Sequence, residues 1–227
     1  EVFILRSIIV ANGVLKEPHT LCEKLSPGTL LMAADGGLKH LRDLGLIPDV
    51  VIGDLDSVTP DQLENLHDQD VDVIQHPPRK DETDLELALL YAVEQGATGI
   101  LVFGALGARW DMTLGNILLL THPQLLGIDV RLVDGRQEMR LLAGGGELIL
   151  TGRPGDTISL LPLCGDAVGV TTRGLDYKLT NSRLRFGYTR GLSNVLQTDS
   201  AEISLEKGYL CIVKEEAGDT KEANDAG

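Results

Sequence analysis

Along the first 135 positions, short apolar runs alternate with stretches whose apolar residues recur at helical spacing. This is the pattern of successive βαβ units and a parallel sheet. The apolar runs predict strands over 4–10, 29–33, 49–52, 72–75, 99–103 and 129–133. Several of these are Val, Ile and Leu on both faces, as strands covered by helices on both sides should be. Thr59-Pro60-Asp61-Gln62 supplies an N-cap, a proline at the first helical position and a capping-box glutamine. Thr83-Asp84-Leu85-Glu86 repeats the capping-box spacing. Leu85, Ala88, Leu89, Ala92 and Val93 then form one apolar stripe, which Gly96 ends. A further helix is expected over about 111–120. Beyond residue 135 the helical period vanishes. Alternating segments at 138–142, 147–150, 157–161, 168–171, 177–180, 183–186, 201–205 and 209–213 predict a small all-β sandwich or barrel. Gly144-Gly145-Gly146 falls between two of them and reads as a hairpin turn. The expected organisation is therefore an α/β domain with a mostly parallel sheet over 1–135, an all-β domain over 136–215, and a polar, flexible tail over 216–227.

Ligands of open α/β sheets sit beyond the carboxyl ends of the strands, and this chain delivers carboxylates there four times. One expected strand runs into Asp35-Gly36-Gly37 and the next into Gly53-Asp54-Leu55-Asp56-Ser57. A third is followed by Lys80-Asp81-Glu82-Thr83-Asp84, and a fourth by Gly104-Ala105-Leu106-Gly107-Ala108-Arg109-Trp110-Asp111. Asp54 and Asp56 are two residues apart, so in extended chain both carboxylates face one side. That suits a hard cation such as Mg²⁺. Taken alone the pair reads better as turn aspartates; with Asp35 and Asp84 also at strand ends, the metal reading is the better one. Asp84 also fits a residue that complements a helix dipole, with Lys80 and Asp81 in a solvated loop. Gly104 and Gly107 can let backbone N–H groups approach a phosphate. Arg109 is a phosphate donor and Asp111 an acceptor for ribose or base. The segment is neither a Walker loop nor a dinucleotide fingerprint.

Composition narrows the partners. With 34 Asp and Glu against 20 Lys and Arg, the net charge is −14, which argues against nucleic-acid binding. An acidic chain that handles a nucleotide needs metal ions or backbone donors at the site. Three scattered cysteines and no apolar run of membrane-spanning length fit a cytoplasmic protein. The five histidines have no metal-ligand spacing and receive no role. The first residues already follow a strand pattern, which leaves open that the natural chain begins earlier.

Taken in order, the four acidic motifs resemble the thiamine pyrophosphokinase family. Thr172-Arg173-Gly174-Leu175-Asp176-Tyr177-Lys178-Leu179 and Gly191-Leu192-Ser193-Asn194 look like that family's thiamine-binding β-domain. The resemblance implies diphosphate transfer from ATP to the hydroxyl of thiamine, with Mg²⁺, in a homodimer whose active sites lie at the subunit interface. It implies Asp54, Asp56 and Asp84 as metal ligands, and Asp35, Gly36, Arg109 and Asp111 at ATP. Asp54, Asp56, Asp84 and Arg109 would carry catalysis. Lys80, Asp84, Tyr177, Ser193 and Asn194 would bind substrate, the last three from the partner subunit. By residue type alone, Tyr177 fits a half-buried strand aromatic better. The family usually has His or Gln after its Arg-x-Asp, where this chain has Met112. Three other readings stay open: a diphosphokinase for another hydroxymethyl heterocycle such as a pterin, a catalytically silent nucleotide or thiamine sensor, and a metal-dependent phosphohydrolase in which water replaces the acceptor.

Overall fold

The computed structural model describes residues 5–56 and 58–218. Ile4 of the first expected strand, Ser57 of the Asp-x-Asp motif and positions 219–227 of the expected tail lie outside them. The chain forms two compact units that divide between Gly135 and Arg136.

The first unit runs β1 (Leu5–Val10), α1 (His19–Lys24), β2 (Leu30–Ala34), α2 (Gly37–Asp43), β3 (Val50–Gly53), α3 (Pro60–Asp68), β4 (Asp72–Gln75), α4 (Asp84–Glu94), β5 (Ala97–Phe103), α5 (Trp110–Leu119), a 3-10 turn (Pro123–Leu125) and β6 (Asp129–Asp134). All six strands are parallel, in the order β4-β3-β2-β1-β5-β6. Strand boundaries lie within about two residues of the sequence expectation. Helices α1 and α2 were not expected, being too short to show a period. Burial explains why the strands read as continuous apolar runs. Ile8, Val10, Leu31, Ala33 and Val51 pack with Leu21 of α1, Leu38 and Leu41 of α2 and Leu66 of α3. The alternate residues Ile9, Met32 and Ile52 are equally buried, and α4 lies across β1, β2, β3 and β5. The expected capping box at Thr59 is complete: its hydroxyl accepts from the Gln62 N–H, and the Gln62 side chain accepts from the Thr59 N–H. No helix among the described residues is long and apolar enough to cross a membrane.

The second unit holds β7 (Gln137–Ala143), β8 (Glu147–Thr151), β9 (Thr157–Arg173), β10 (Ser182–Leu184), β11 (Asn194–Val195), β12 (Ser200–Ser204) and β13 (Lys207–Glu215). It is all-β, as expected, with three differences in detail. The segments at 157–161 and 168–171 are one 17-residue strand. The first part of β9 pairs with β13 and its end pairs with β12, so one strand serves two sheets. Cys164, Gly165 and Gly169, all at positive φ, let it bend. Segment 177–180 is not a strand. Its apparent alternation comes from one anchored side chain, Leu179, which is buried while Tyr177, Lys178 and Thr180 are exposed. Gly144–146 is not a hairpin turn either, because β7 pairs with β13 and β8 with β12. It carries the chain from one sheet to the other. The Gly144 N–H donates to the Gly208 carbonyl and the Gly145 N–H to the Leu205 carbonyl. The core between the sheets includes Leu142, Leu150, Ile158, Leu160, Ile203, Leu210 and Ile212.

Candidate active site

In the first unit the strand order reverses at β1: β2 lies on one side, β5 on the other. Two loops therefore leave the carboxyl ends of neighbouring strands in different directions, the usual place for a ligand crevice. The loop after β1 is stitched to the loop after β5. Gly13 N–H donates to the Gly104 carbonyl at 2.7 Å, and Val14 N–H donates to the Leu106 carbonyl at 3.0 Å. Only glycine fits at 104, where φ is +66° and a Cβ would lie 2.4 Å from the Ala11 carbonyl oxygen. A cavity of about 380 Å³ opens here, lined among others by Asn12, Asp35, Asp54, Lys80, Asp84 and Arg109. That is the size of a small-molecule site.

Three carboxylates cluster beside it, two of which, Asp35 and Asp54, line it. Asp35 follows β2 directly with φ +47°, a conformation that aspartate tolerates better than most residues. Asp54 follows β3. Leu55, at φ +59° and buried, turns the chain between Asp54 and Asp56. The Asp56 N–H donates to Asp54 Oδ1 at 3.3 Å. One oxygen from each of Asp35, Asp54 and Asp56 lies within 4.8 Å of the others. The sequence reading made Asp84 the third carboxylate of this set and placed Asp35 at the nucleotide. In the structure Asp35 joins the pair, while Asp84 begins α4 and accepts from Lys80 Nζ at 2.5 Å. Asp84 and Lys80 both line the cavity.

Burial pushes the Asp35 carboxyl above the usual carboxylate range, and the neighbouring charges of Asp84, Asp54 and Asp56 add to that, against an opposing hydrogen bond from the Gly36 N–H. Among the described residues its Oδ1 is buried without a hydrogen-bond partner. An orphaned carboxylate oxygen beside two more carboxylates fits a hard divalent cation, which would satisfy the oxygen and offset the repulsion. Asp35→Asn should therefore stabilise the metal-free protein while impairing its function. We expect its melting temperature in EDTA to rise by about 2–4 °C at neutral pH. The sign follows from linkage. A carboxyl with a raised folded-state pKa destabilises the fold when ionised. The advantage of the amide is thus full above that pKa and fades as pH falls toward the ordinary carboxylate value. An unchanged or lowered melting temperature at neutral pH would refute the strain assigned to Asp35.

Arg109 and Asp111 are brought together at the start of α5. Arg109 Nε donates to Asp111 Oδ1 at 3.1 Å, and Nη2 donates to Oδ2 at 2.6 Å. The hydrogen bond from Arg109 holds the Asp111 carboxyl below its ordinary value, helped by the Met112 N–H. Both side chains are exposed, and Arg109 and Met112 line the cavity. Gly36 precedes α2, its backbone against the Asn12 side chain.

Some residues at this site went unread in the sequence. Asn12 lies at the cavity with its Nδ2 3.5 Å from Asp35 Oδ2. Asn116 is buried and donates to the Ala105 carbonyl at 2.7 Å, fixing the loop after β5. Gln75 Nε2 donates to the Asp54 carbonyl at 3.2 Å. His40 Nε2 sits 2.9 Å from the Gly13 carbonyl. The Asn-Gly pair following a strand was the one available signal for Asn12.

In the second unit, Tyr177, Ser193 and Asn194 lie together. The Tyr177 N–H donates to Asn194 Oδ1, and Asn194 Nδ2 donates to the Tyr177 carbonyl, both at 2.8 Å. Val195 N–H also donates to Asn194 Oδ1. The Asn194 carboxamide is thus largely spent on the backbone, and it presents the Tyr177 ring, 76% exposed, to its surroundings. Ser193 sits at φ +55° with its N–H bonded to Ser159 Oγ.

Comparison with known proteins agrees with both units. Residues 22–132 match the family described as thiamin pyrophosphokinase, catalytic domain, and residues 148–210 match thiamin pyrophosphokinase, vitamin B1 binding domain. The chain is 32% identical over 206 residues to the thiamine pyrophosphokinase of Bacillus subtilis, covering 91% of this chain and 96% of that one. It is 30% identical over 208 residues to thiamine pyrophosphokinase 1 of Arabidopsis thaliana, covering 80% and 76%. The crystal structure of the Bacillus subtilis enzyme superposes with a TM-score of 0.83 at 31% identity, covering 94% of this chain and 100% of that one. That of the Geobacillus thermodenitrificans thiamin pyrophosphokinase gives 0.80 at 27% identity, covering 96% and 99%.

Proposed function

The chain belongs to the thiamine pyrophosphokinase family of ATP-dependent diphosphotransferases, and from that membership we propose how its own residues act. The reaction moves a diphosphoryl group from ATP to the hydroxyl of thiamine, giving thiamine diphosphate and AMP. The thiamine oxygen attacks the β-phosphorus, the bond from that phosphorus to the α-phosphate oxygen breaks, and the hydroxyl proton leaves to solvent or a nearby carboxylate. Such transfers ask a protein mainly for alignment and charge compensation.

The observation that carries the reading is the cluster of Asp35, Asp54 and Asp56 at the strand reversal, with Asp35 and Asp54 lining a crevice of small-molecule size. When bound there, Mg²⁺ would draw charge from the phosphate oxygens. Asp54, Asp56 and Asp35 would hold it, with Asp84 close enough to raise the local negative potential further. Arg109 would turn from Asp111 toward a phosphate oxygen, and Asp111 would then be open to the ribose or base. Lys80 is positioned by its ion pair to Asp84, so the two would act together on the acceptor hydroxyl, Asp84 as its hydrogen-bond acceptor. Tyr177 would stack on the thiamine ring, held out by Asn194, with Ser193 beside it. Gly36 and Gly104 would keep the crevice floor low enough for phosphate to approach backbone.

The purified protein is expected to release AMP from Mg·ATP only when thiamine is present, with thiamine diphosphate formed in equal amount. AMP or phosphate release at the same rate without thiamine would replace this reading with that of a phosphohydrolase. Release that requires a different hydroxymethyl heterocycle would replace only the acceptor.

A further inference from the structure

The loop between β5 and α5 offers backbone N–H groups to a phosphate, but the fold has already engaged one of them. The Gly107 N–H donates to Thr113 Oγ1 at 3.2 Å. The same hydroxyl donates to the Arg109 carbonyl at 2.9 Å, with the Gly107 carbonyl 3.3 Å away. The Thr113 N–H reaches that Arg109 carbonyl as well, at 3.0 Å. One threonine, a turn into α5, thus holds both ends of the tripeptide Gly107-Ala108-Arg109. Further along the helix, the buried Asn116 holds the Ala105 carbonyl at 2.7 Å.

The tripeptide needs holding. Gly107 has φ +85° and Ala108 φ +57°. These are two left-handed residues in succession, and the second carries a Cβ that disfavours the conformation. Such a backbone persists only where its surroundings fix it. A Cβ at Gly107 would lie 2.8 Å from Val14 Cγ2, so the loop after β1 closes the other side. Arg109 leaves this turn extended, at φ −103° and ψ 130°, as the N-cap of α5, with no side-chain capping bond among the described residues. A capping side chain must accept a hydrogen bond, and a guanidinium only donates. The start of α5 therefore breaks a local rule at the residue that faces the crevice, and Thr113 supplies the hold that a capping side chain would otherwise give. The Arg109 side chain itself is 71% exposed and pairs with Asp111. On so long a side chain, a small rotation of the backbone displaces the guanidinium by more than its alignment with a ligand tolerates.

We propose that Thr113 is a positioning residue for nucleotide binding: its hydroxyl clamps Gly107-Ala108-Arg109 in advance, so that the Arg109 guanidinium meets the phosphates by side-chain rotation alone. The inference rests on the reading of the crevice as the nucleotide site and of Arg109 as a phosphate donor. It takes the Gly107 N–H out of the phosphate contacts, since that group is spent on the clamp. Because the clamp exists before the ligand arrives, this part of the loop does not have to be ordered on binding, and the affinity is higher for it.

The test is a set of binding measurements on the full chain. Thr113→Val keeps the branched shape and removes the hydroxyl's hydrogen bonds. Titration calorimetry with Mg·ATP, without thiamine, should give a Kd about tenfold above wild type. The melting temperature should stay within about 2 °C, because the side chain is only half-buried. Thr113→Ser keeps the hydroxyl and should bind within about threefold of wild type. A double-mutant cycle separates positioning from mere stability: added to Arg109→Ala, Thr113→Val should change Kd by less than about twofold, since the group it positions is gone. Wild-type affinity in Thr113→Val, equal weakening in Thr113→Ser, or a further tenfold loss on top of Arg109→Ala would each overturn the proposal. If Arg109→Ala by itself bound Mg·ATP as wild type does, the phosphate role of Arg109 would fall and the proposal with it, so the two failures are told apart.

Discussion

Asp54→Asn is expected to lower kcat by about a hundredfold or more at saturating Mg²⁺ and saturating thiamine. The substitution conserves shape. The carboxamide keeps a side-chain oxygen to accept from the Asp56 N–H, and the backbone carbonyl that accepts from Gln75 is untouched. What changes is one negative charge among three carboxylates, one oxygen of each lying within 4.8 Å of the others. A cation held by three carboxylates loses a charged ligand, and the charge developing on the transferred phosphates loses its counterweight. Titration calorimetry should show weaker Mg²⁺-dependent binding of a nucleotide, with a melting temperature no lower than wild type excluding misfolding. Near-wild-type turnover in this variant would mean that the cluster is a set of turn aspartates and that the metal acts elsewhere.

Gly37→Ala should be the most damaging single-methyl change in the first unit. A Cβ at Gly37 would lie 1.8 Å from the Val10 carbonyl oxygen and 2.5 Å from its carbon. Both are backbone atoms of the strand at the centre of the sheet, so no side chain can swing away. To relieve the overlap α2 must lift from β1, and Leu38 and Leu41 leave a core in which they are almost fully buried. A loss of about 3 kcal/mol follows from overpacking of this kind, or a fall of about 6–12 °C in melting temperature for a chain of this size. Activity should fall as well, because Asp35 and Gly36 form the turn that α2 anchors. Gly99→Ala is the control. It lies in β5 with nothing within 4 Å of the added carbon and no positive φ, and its melting temperature should stay within about 2 °C of wild type. If Gly37→Ala melted like Gly99→Ala, the close approach of α2 to β1 would be wrong.

How much of this was legible in the chain depends on the range of the interaction involved. The strands of the first unit and helices α3 and α4 were readable because burial on both faces, a capping box and an apolar stripe are written within a dozen residues. The acidic site was readable for a related reason: in parallel sheets the residue after each strand faces the crevice, so successive strand ends mark one place. Errors arose where a local signal had a distant cause. The stretch around Gly165 and Asp166 separates two expected strands, yet it is a bend within β9 that β13 pairs on both sides, at Leu163 and Val168, before β12 takes over at Thr171. Leu179 completed an apparent alternation without being in a strand.

Sequence alone therefore determined the fold class, the position of every first-unit strand and the family of chemistry, since each rests on periodicity or on short ordered motifs. Only the tertiary structure decided that Asp35 stands with Asp54 and Asp56 while Asp84 is held by Lys80, and that Asn12 and Asn116 belong to the site. Asp35 meets Asp54 and Asp56 because β2 pairs with β3, and Asn12 and Asn116 reach the same crevice because β1 lies between β2 and β5, adjacencies that no local pattern encodes. The loop closure that brings them together is driven by burial summed over the whole unit rather than by any one motif.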